Sequence, residues 1–208
     1  MLDFLLPAPC LLCGMTGKPL CSKCLGSLEL KLQVMHSDNL DIYYLTDYKP
    51  EIAKIITGIK DRGLTSLIPL ITANSSWPEA IRNVCLVPIP SSKQNLKRRG
   101  FNHTEIFARK LAKQNEGIYV SSILVSASRR KDQAGLSPVE RAKNMANAFQ
   151  VLRLRPKQPK IVLVDDVYTT GATALEAKRT LEAAGFRVIA CWVVALVQAP
   201  NQPFNRLF

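Results

Sequence analysis

The sequence predicts an α/β protein built on a mostly parallel sheet with helices against its faces, preceded by a small cysteine-rich head. Three observations predict this. Short apolar runs without polar alternation, at 85–89, 161–164 and 188–197, read as strands buried on both sides. Segments with apolar residues at helical spacing, 104–114 and 173–184, alternate with them, and Gly185 closes the second. Four cysteines crowd the first 27 residues, where Gly and Pro break every run too short to build a core.

In chain order, residues 1–27 form the head, 28–80 a connector or hood, and 81–208 the main α/β core. In the head, Cys10-x2-Cys13 and Cys21-x2-Cys24 make two knuckles seven residues apart. Each pair presents two thiolates to one tetrahedral ion, so a closed structural Zn²⁺ site is expected, with metal binding supplying the folding energy that a core would otherwise provide. Redox chemistry is the competing reading, but it calls for a single CxxC at a helix start beside a thioredoxin-like unit. In the connector, Ile42–Leu45 reads as a strand, and Ile52, Ile55, Ile56 and Ile59 recur at helical spacing. The core adds a strand near 120–125 and two long basic loops, 88–103 and 126–147. Long loops inside a compact domain are usually functional or disordered. Cys85 and Cys191 fall in apolar strands and are expected to be inert core residues.

No apolar run approaches the ~20 residues of a membrane helix. Met1–Leu6 carries an acid and no basic segment, and Pro7 and Pro9 follow at once. This argues against a secretory signal and against lipidation at Cys10, so a cytoplasmic location with reduced cysteines is expected.

The chain has 28 Lys or Arg and 16 Asp or Glu, a net charge of +12. Between Lys93 and Lys160 sixteen basic residues face four acids, so this stretch carries the whole excess and the remainder is neutral. A localised surplus of this kind points to an anionic partner.

The sharpest signal is Ile161-Val162-Leu163-Val164 followed by Asp165-Asp166 and then Val167-Tyr168-Thr169-Thr170-Gly171-Ala172-Thr173. Two acids at the carboxyl end of a parallel strand sit where such sheets bind ligands, and they accept hydrogen bonds from a ribose diol. Gly171 admits a close backbone, the threonines donate, and free N–H groups at the following helix start attract a phosphate. An acidic strand end with an ordinary N-cap at Thr170 or Thr173 is the plainer reading, and the full order of residues favours the phosphate loop.

Val162–Thr173 resembles the signature of the type I phosphoribosyltransferases. Val87-Pro88-Ile89-Pro90, Arg99-Gly100-Phe101-Asn102, Gln133 with Leu136, Arg141 with Asn144, and Ala148-Phe149 resemble, in order and spacing, the ComF/GntX family of competence proteins. The resemblance implies a type I phosphoribosyltransferase-like fold with a zinc-binding head, in a cytoplasmic protein of DNA uptake in natural transformation. Carried over by position, Asp165 and Asp166 would hold the ribose hydroxyls of 5-phosphoribosyl 1-diphosphate. Thr169, Thr170, Gly171, Ala172 and Thr173 would hold its 5-phosphate, and Pro88, Ile89, Pro90 and Ser91 would form the diphosphate loop. Mg²⁺ is expected to enter with the diphosphate. Thr169 stands where purine-salvage enzymes of this fold carry their base, which speaks against hypoxanthine-type transfer.

The basic clusters Lys97-Arg98-Arg99 and Arg129-Arg130-Lys131 admit two uses. Arg98, Arg99, Arg129 and Arg130 would clamp a diphosphate across the cleft. Alternatively, Lys97, Arg98, Arg99, Arg129, Arg130 and Lys131 would track single-stranded DNA, with Phe101 and Tyr168 as stacking rings. A solvated charged face is the plainer reading of either cluster alone. Lys60 and Arg62 flank Asp61 after the connector helix, within possible reach of the site, whereas His36 reads as a surface residue. The expected function is binding of 5-phosphoribosyl 1-diphosphate and assistance in handling incoming single-stranded DNA, together with other proteins of DNA uptake. The alternative is an active phosphoribosyltransferase acting on a nitrogenous acceptor. A zinc-dependent regulator ranks third, because no recognition helix adjoins the knuckles.

Overall fold

Alternate residues of the inner strands serve two separate cores, one on each side of a single sheet. In the computed structural model, which describes residues 8–73, 75, 77–78, 81–127, 147–152 and 160–198, this sheet is the centre of the molecule. Its strands are β1 (Gln33–Met35), β2 (Asp41–Asp47), β3 (Cys85–Pro88), β4 (Tyr119–Val120), β7 (Lys160–Val164), β8 (Val167–Tyr168) and β9 (Arg187–Leu196). The order is β1-β2-β9-β7-β3-β4, and β8 also pairs with β9. Only β1 with β2 is antiparallel; the other pairings are parallel. The α/β architecture expected from the sequence is therefore present.

On one face Val162, Val164, Trp192 and Val194 pack with Leu45 and with helices α2 (Pro50–Arg62), α3 (Leu67–Ile71) and α5 (His103–Gln114). Ile52, Ile55, Ile56 and Ile59 line the buried side of α2, and Phe107, Ala108 and Leu111 that of α5. Burying each such large side chain contributes about 1.5–3 kcal/mol. Phe107 meets Trp192 with ring centroids 5.9 Å apart, so Phe107→Ala would cost about 3–5 kcal/mol by opening a cavity at the centre of this face. On the other face Ile161, Leu163, Cys191 and Val193 pack with helix α6 (Ala172–Ala183) through Ala174, Ala177 and Leu181. Gly185, at φ 88°, closes this helix, and the Phe186 N–H donates to the Leu181 carbonyl. A two-stranded antiparallel ribbon, β5 (Leu124–Ser126) with β6 (Phe149–Val151), also lies on this side.

Two elements differ from the sequence expectation. The apolar stretch at 120–125 divides: β4 ends at Val120 as a strand of the main sheet, while β5 leaves for the ribbon. The basic loop at 88–103 contains a helix, α4 (Lys93–Arg99), in which the Ser92 hydroxyl accepts from the Asn95 N–H and Gly100, at φ 77°, closes the end. All of its positions are exposed or part-exposed, so no apolar period announces it.

The cysteine head contains one short helix, α1 (Ser22–Gly26), and it does not stand apart from the core. Cys10, Leu20 and Leu28 are buried in the same cluster as Ile55 and Ile59. Leu11 lies against α2 at Gly58, where a Cβ would come within 2.7 Å of its Cδ1. Among the described residues, no helix is long and apolar enough to cross a membrane.

Candidate functional site

Parallel pairing brings the chemically distinctive segments to one edge. Pro88 at the end of β3 stands in register with Val164 at the end of β7, so the chain after Pro88 and the Asp165-Asp166 pair emerge side by side. The Ile89 N–H donates to the Val164 carbonyl and continues the pairing one residue further. The Thr104 hydroxyl lies 2.7 Å from the Ile89 carbonyl and 2.9 Å from Asn102 Oδ1, and the Ser91 hydroxyl lies 3.3 Å from the same Asn102 oxygen. Asn102 and Thr104 thus tie the start of α5 to the 88–91 loop.

An open cleft enclosing about 640 Å³ lies over this edge. Ile89, Pro90 and Ser91 line it together with Asp165, Asp166 and Thr173, and Lys60, Arg99 and His103 complete it. Pro88 is buried as the last residue of β3. Arg98 is absent from this cleft and points into a neighbouring one of about 580 Å³, lined also by Lys60, Asp61, Arg62, Arg99 and Phe101. Arg98 and Arg99 both reach Asp61 Oδ1, at 3.1 and 3.2 Å, so α4 is fastened to the last turn of α2. Lys97 is exposed on α4. Arg129, Arg130 and Lys131, with Gln133, Leu136, Arg141 and Asn144, lie outside the described residues.

The two acids differ in state. Asp166 is buried, with His103 Nε2 at 3.2 Å from its Oδ1 and Lys60 Nζ at 2.6 Å from its Oδ2. Burial alone would raise its pKa, but the hydrogen bond from His103 and the Lys60 ammonium outweigh burial and hold it well below the usual carboxylate range. Asp165 remains part-exposed on the cleft floor, and its Oδ1 accepts from the Asp166 N–H. Its close surroundings and the adjacent Asp166 charge push its pKa well above the ordinary value, against the pull of Lys60. The pair thus favours one ionised inner carboxylate and one readily protonated outer carboxyl.

Following the acids, Thr169–Thr173 wraps the start of α6, with Gly171 at φ 78° as the residue before its first turn. Thr169, Gly171 and Thr173 line a narrow recess with Asp165, Tyr168, Cys191 and Val193. Thr170 is exposed, and its hydroxyl lies 3.5 Å from the Ala172 N–H. Tyr168 is half-buried against the core and lies across Gly171, so it is not an open stacking ring. Phe101 is part-exposed in the neighbouring cleft. His36, as expected, sits at the surface, beside Asp41.

Sequence reasoning passed over His103. Its position directly after a helix-starting Asn102 in a basic loop was the available signal, but its partner, Asp166, is 63 residues away. Lys60 was noted but could not be placed.

The four head cysteines form a second candidate centre. Their Sγ atoms all lie within 4.8 Å of one another. Cys13 and Cys21 sulfurs are 3.8 Å apart, the edge of a tetrahedron whose metal–sulfur bonds are about 2.3 Å. The Cys21 N–H points at Cys10 Sγ and the Cys24 N–H at Cys21 Sγ, each at 3.5 Å. Backbone N–H groups of Cys13 and Cys21 lower Cys10 to about 6, whereas hydrogen bonding to the Cys21 thiol pushes Cys24 up to about 12. The residues fit a four-thiolate metal site. Cys85 and Cys191 are buried as expected, and burial raises the pKa of both.

No family model matches the chain. It is 31% identical over 143 residues to Competence protein F of Haemophilus influenzae, covering 65% of this chain and 60% of the relative. The chain is thus similar to competence proteins of the ComF family. It is also 25% identical over 182 residues to Competence protein ComFC of Bacillus subtilis, covering 82% of the chain and 71% of that relative. The DNA utilization protein YhgH of Escherichia coli is 30% identical to it over 107 residues, 51% of the chain and 47% of that protein. The chain spans 60% of the length of Competence protein F and 47% of that of YhgH.

Proposed function

We propose that this ComF-like protein binds 5-phosphoribosyl 1-diphosphate with Mg²⁺ and takes part in handling single-stranded DNA during natural transformation, in the cytoplasm and with other proteins of DNA uptake. The observation that carries the ligand is the convergence of Asp165, Thr173, the 89–91 wall, Lys60 and Arg99 on one cleft. In this reading the outer acid, Asp165, meets the ribose hydroxyls and Asp166 fixes Lys60 and His103 around them. Thr169, Thr170, Gly171, Ala172 and Thr173 receive the 5-phosphate, and Pro88–Ser91 with Arg99 receives the diphosphate. Mg²⁺ accompanies the diphosphate, because it keeps most of its own waters and needs few protein carboxylates. The DNA role is supported by the names of relatives called competence and DNA utilization proteins and by the basic surplus at 93–160. Zn²⁺ at Cys10, Cys13, Cys21 and Cys24 is the proposed metal of the head.

Titration calorimetry with 5-phosphoribosyl 1-diphosphate and Mg²⁺ tests the ligand, with Asp165→Asn as the control that leaves the Asp166 ion pairs in place. Binding lost in the variant supports the reading; equal affinity in both proteins removes it.

One observation favours a second reading, transfer of the phosphoribosyl group to a nitrogenous acceptor. The neighbouring cleft shares Lys60 and Arg99 with the first and carries Phe101, a suitable surface for a planar base. Release of labelled diphosphate in the presence of nucleobases or nucleic acids would establish it, and no release with any acceptor would discard it.

A further inference from the structure

Helices α2 and α4 both finish at the second cleft, and both are basic in the last turn, with Lys60 and Arg62 on α2 and Lys97, Arg98 and Arg99 on α4. Cations there complement the carbonyl end of a helix, which is the plainer account of each cluster. It does not account for their convergence. Lys60, Arg62, Arg98 and Arg99 line one space of about 580 Å³, whereas Lys97, from the same turn of α4, does not. Among the described residues two acids answer these four cations. Asp166 takes Lys60, and Asp61 is shared by Arg98 and Arg99, its Oδ1 lying 3.1 and 3.2 Å from their Nη2 atoms. Among the described residues Arg62 pairs with no acid.

Four cations against two carboxylates leave a local surplus of two positive charges, close to the charge that a phosphomonoester carries at neutral pH. A phosphodiester carries only one. The shared Asp61 also holds two guanidinium groups side by side, so an entering phosphate meets donors already placed. Its pair with Arg98 is solvent-exposed and therefore weak, and that fork turns to a ligand at little cost. Gly100, at φ 77°, turns the chain out of α4, and Phe101 follows into the same cleft with its ring part-exposed. A ring beside cations gives a base a face to stack on. The space suits one small ligand rather than a run of strand, since small-molecule sites span about 300–1,000 Å³. We infer that the cleft between the ends of α2 and α4 binds a nucleoside 5′-monophosphate group, with the phosphomonoester on Arg62, Arg98 and Arg99 and the base on Phe101. A free nucleotide and the phosphorylated end of a strand share this chemistry. The inference requires neither 5-phosphoribosyl 1-diphosphate in the first cleft nor transfer, and it is distinct from contacts along a DNA backbone, whose phosphates are diesters.

Calorimetry at low salt tests this on the full-length protein, with adenosine 5′-monophosphate, adenosine, and a short oligonucleotide with and without a 5′-phosphate as probes. Adenosine 5′-monophosphate binds about tenfold or more tighter than adenosine, the value of hydrogen bonds to a charged group. Arg62→Gln and Phe101→Leu each lower its affinity about tenfold, through the lost charge and the lost stacking face. Lys93→Gln, which removes an exposed cation of α4 outside the cleft, leaves it unchanged. Unchanged melting temperatures verify that the variants are folded. A 5′-phosphate that tightens the oligonucleotide by the same factor, and does so no longer in Arg62→Gln, assigns the strand end; no such gain assigns the free nucleotide. Equal affinities for adenosine 5′-monophosphate and adenosine overturn the inference. An equal loss in Arg62→Gln and Lys93→Gln also overturns it, by showing attraction to general positive charge. Undiminished affinity in Arg62→Gln overturns it as well, and if Asp165→Asn loses the nucleotide instead, the first cleft holds it and the reading of that cleft stands.

Discussion

Lys60, in the last turn of α2, places its Nζ 2.6 Å from Oδ2 of Asp166, at the end of β7 and more than a hundred residues later in the chain. His103 closes the other carboxylate oxygen at 3.2 Å. Three segments that share no local pattern are thereby fixed around one buried negative charge.

The two neighbouring acids should answer differently to the same substitution. Asp166→Asn leaves Lys60 and His103 facing a neutral amide and should cost about 3 kcal/mol, a drop in melting temperature on the order of 10 °C. Asp165→Asn removes a carboxyl that burial already disfavours in its charged form, and should leave stability equal or higher. Thermal melts of the two variants decide this; equal losses would contradict the asymmetry.

The sign of the pH dependence follows from the opposite shifts. Asp166 has a lowered pKa, so its contribution is complete above the ordinary carboxylate range and is lost as pH falls through its lowered value. Asp165 has a raised pKa, so its ionisation opposes folding as pH rises through that value. The stability of Asp165→Asn relative to wild type should therefore grow as pH rises above the ordinary carboxylate range, as read by denaturant melts over a pH series. A constant difference would show that Asp165 ionises normally.

Single-stranded DNA should bind weakly and without sequence preference, with a salt slope of roughly 0.7 per neutralised phosphate. Lys97→Ala with Arg98→Ala should flatten that slope by about 1.4, measured by fluorescence anisotropy over a salt series. Arg99, whose side chain is only 12% exposed and lines the cleft, should instead govern the small anionic ligand.

Asp61 restrains two of these cations. Because the pairs are exposed, with the Arg98 side chain 62% and Asp61 40% accessible, Asp61→Asn should change stability by less than about 1 kcal/mol. It should raise DNA affinity and steepen the salt dependence, and unchanged binding in the anisotropy assay would place the DNA surface away from α4.

The head should carry one zinc per chain when purified without added metal, by elemental analysis. Cys10→Ser with Cys13→Ser should lose the metal and much of the folded population, since ligation and folding of such a unit are one equilibrium. Retained zinc in that variant would move the site elsewhere.

What the sequence made legible was whatever had a local period or a local spacing. Ile161–Val164 announces a buried strand, Ile52 to Ile59 an amphipathic helix, and the four cysteines a tetrahedral donor set. The turn from Asp165 to Thr173 between β7 and α6 was also readable, because its residues are contiguous. Helix α4 was missed because its side chains face solvent and its termini, Ser92 and Gly100, are ordinary turn residues until the structure pairs them. The Lys60–Asp166–His103 cluster and the Asp61–Arg98–Arg99 fastening are products of tertiary packing. Charged residues without a period carry no information about which distant partner they meet.

The position of β9 sets the order in which the molecule can be assembled. This ten-residue strand lies between β2 and β7 and also carries β8, yet it is among the last described segments to leave the ribosome. Until it arrives, β2 keeps an unpaired edge with an apolar centre, Ile42–Leu45, and β3 with β7 is a fragment of a sheet rather than its centre. Such long-range parallel pairing is slow to form, and open edges of this kind invite pairing with other chains. A nascent chain of this architecture should therefore keep that edge open until the stretch from Arg187 onward is made, and a chain stopped before Arg187 should aggregate rather than fold in part.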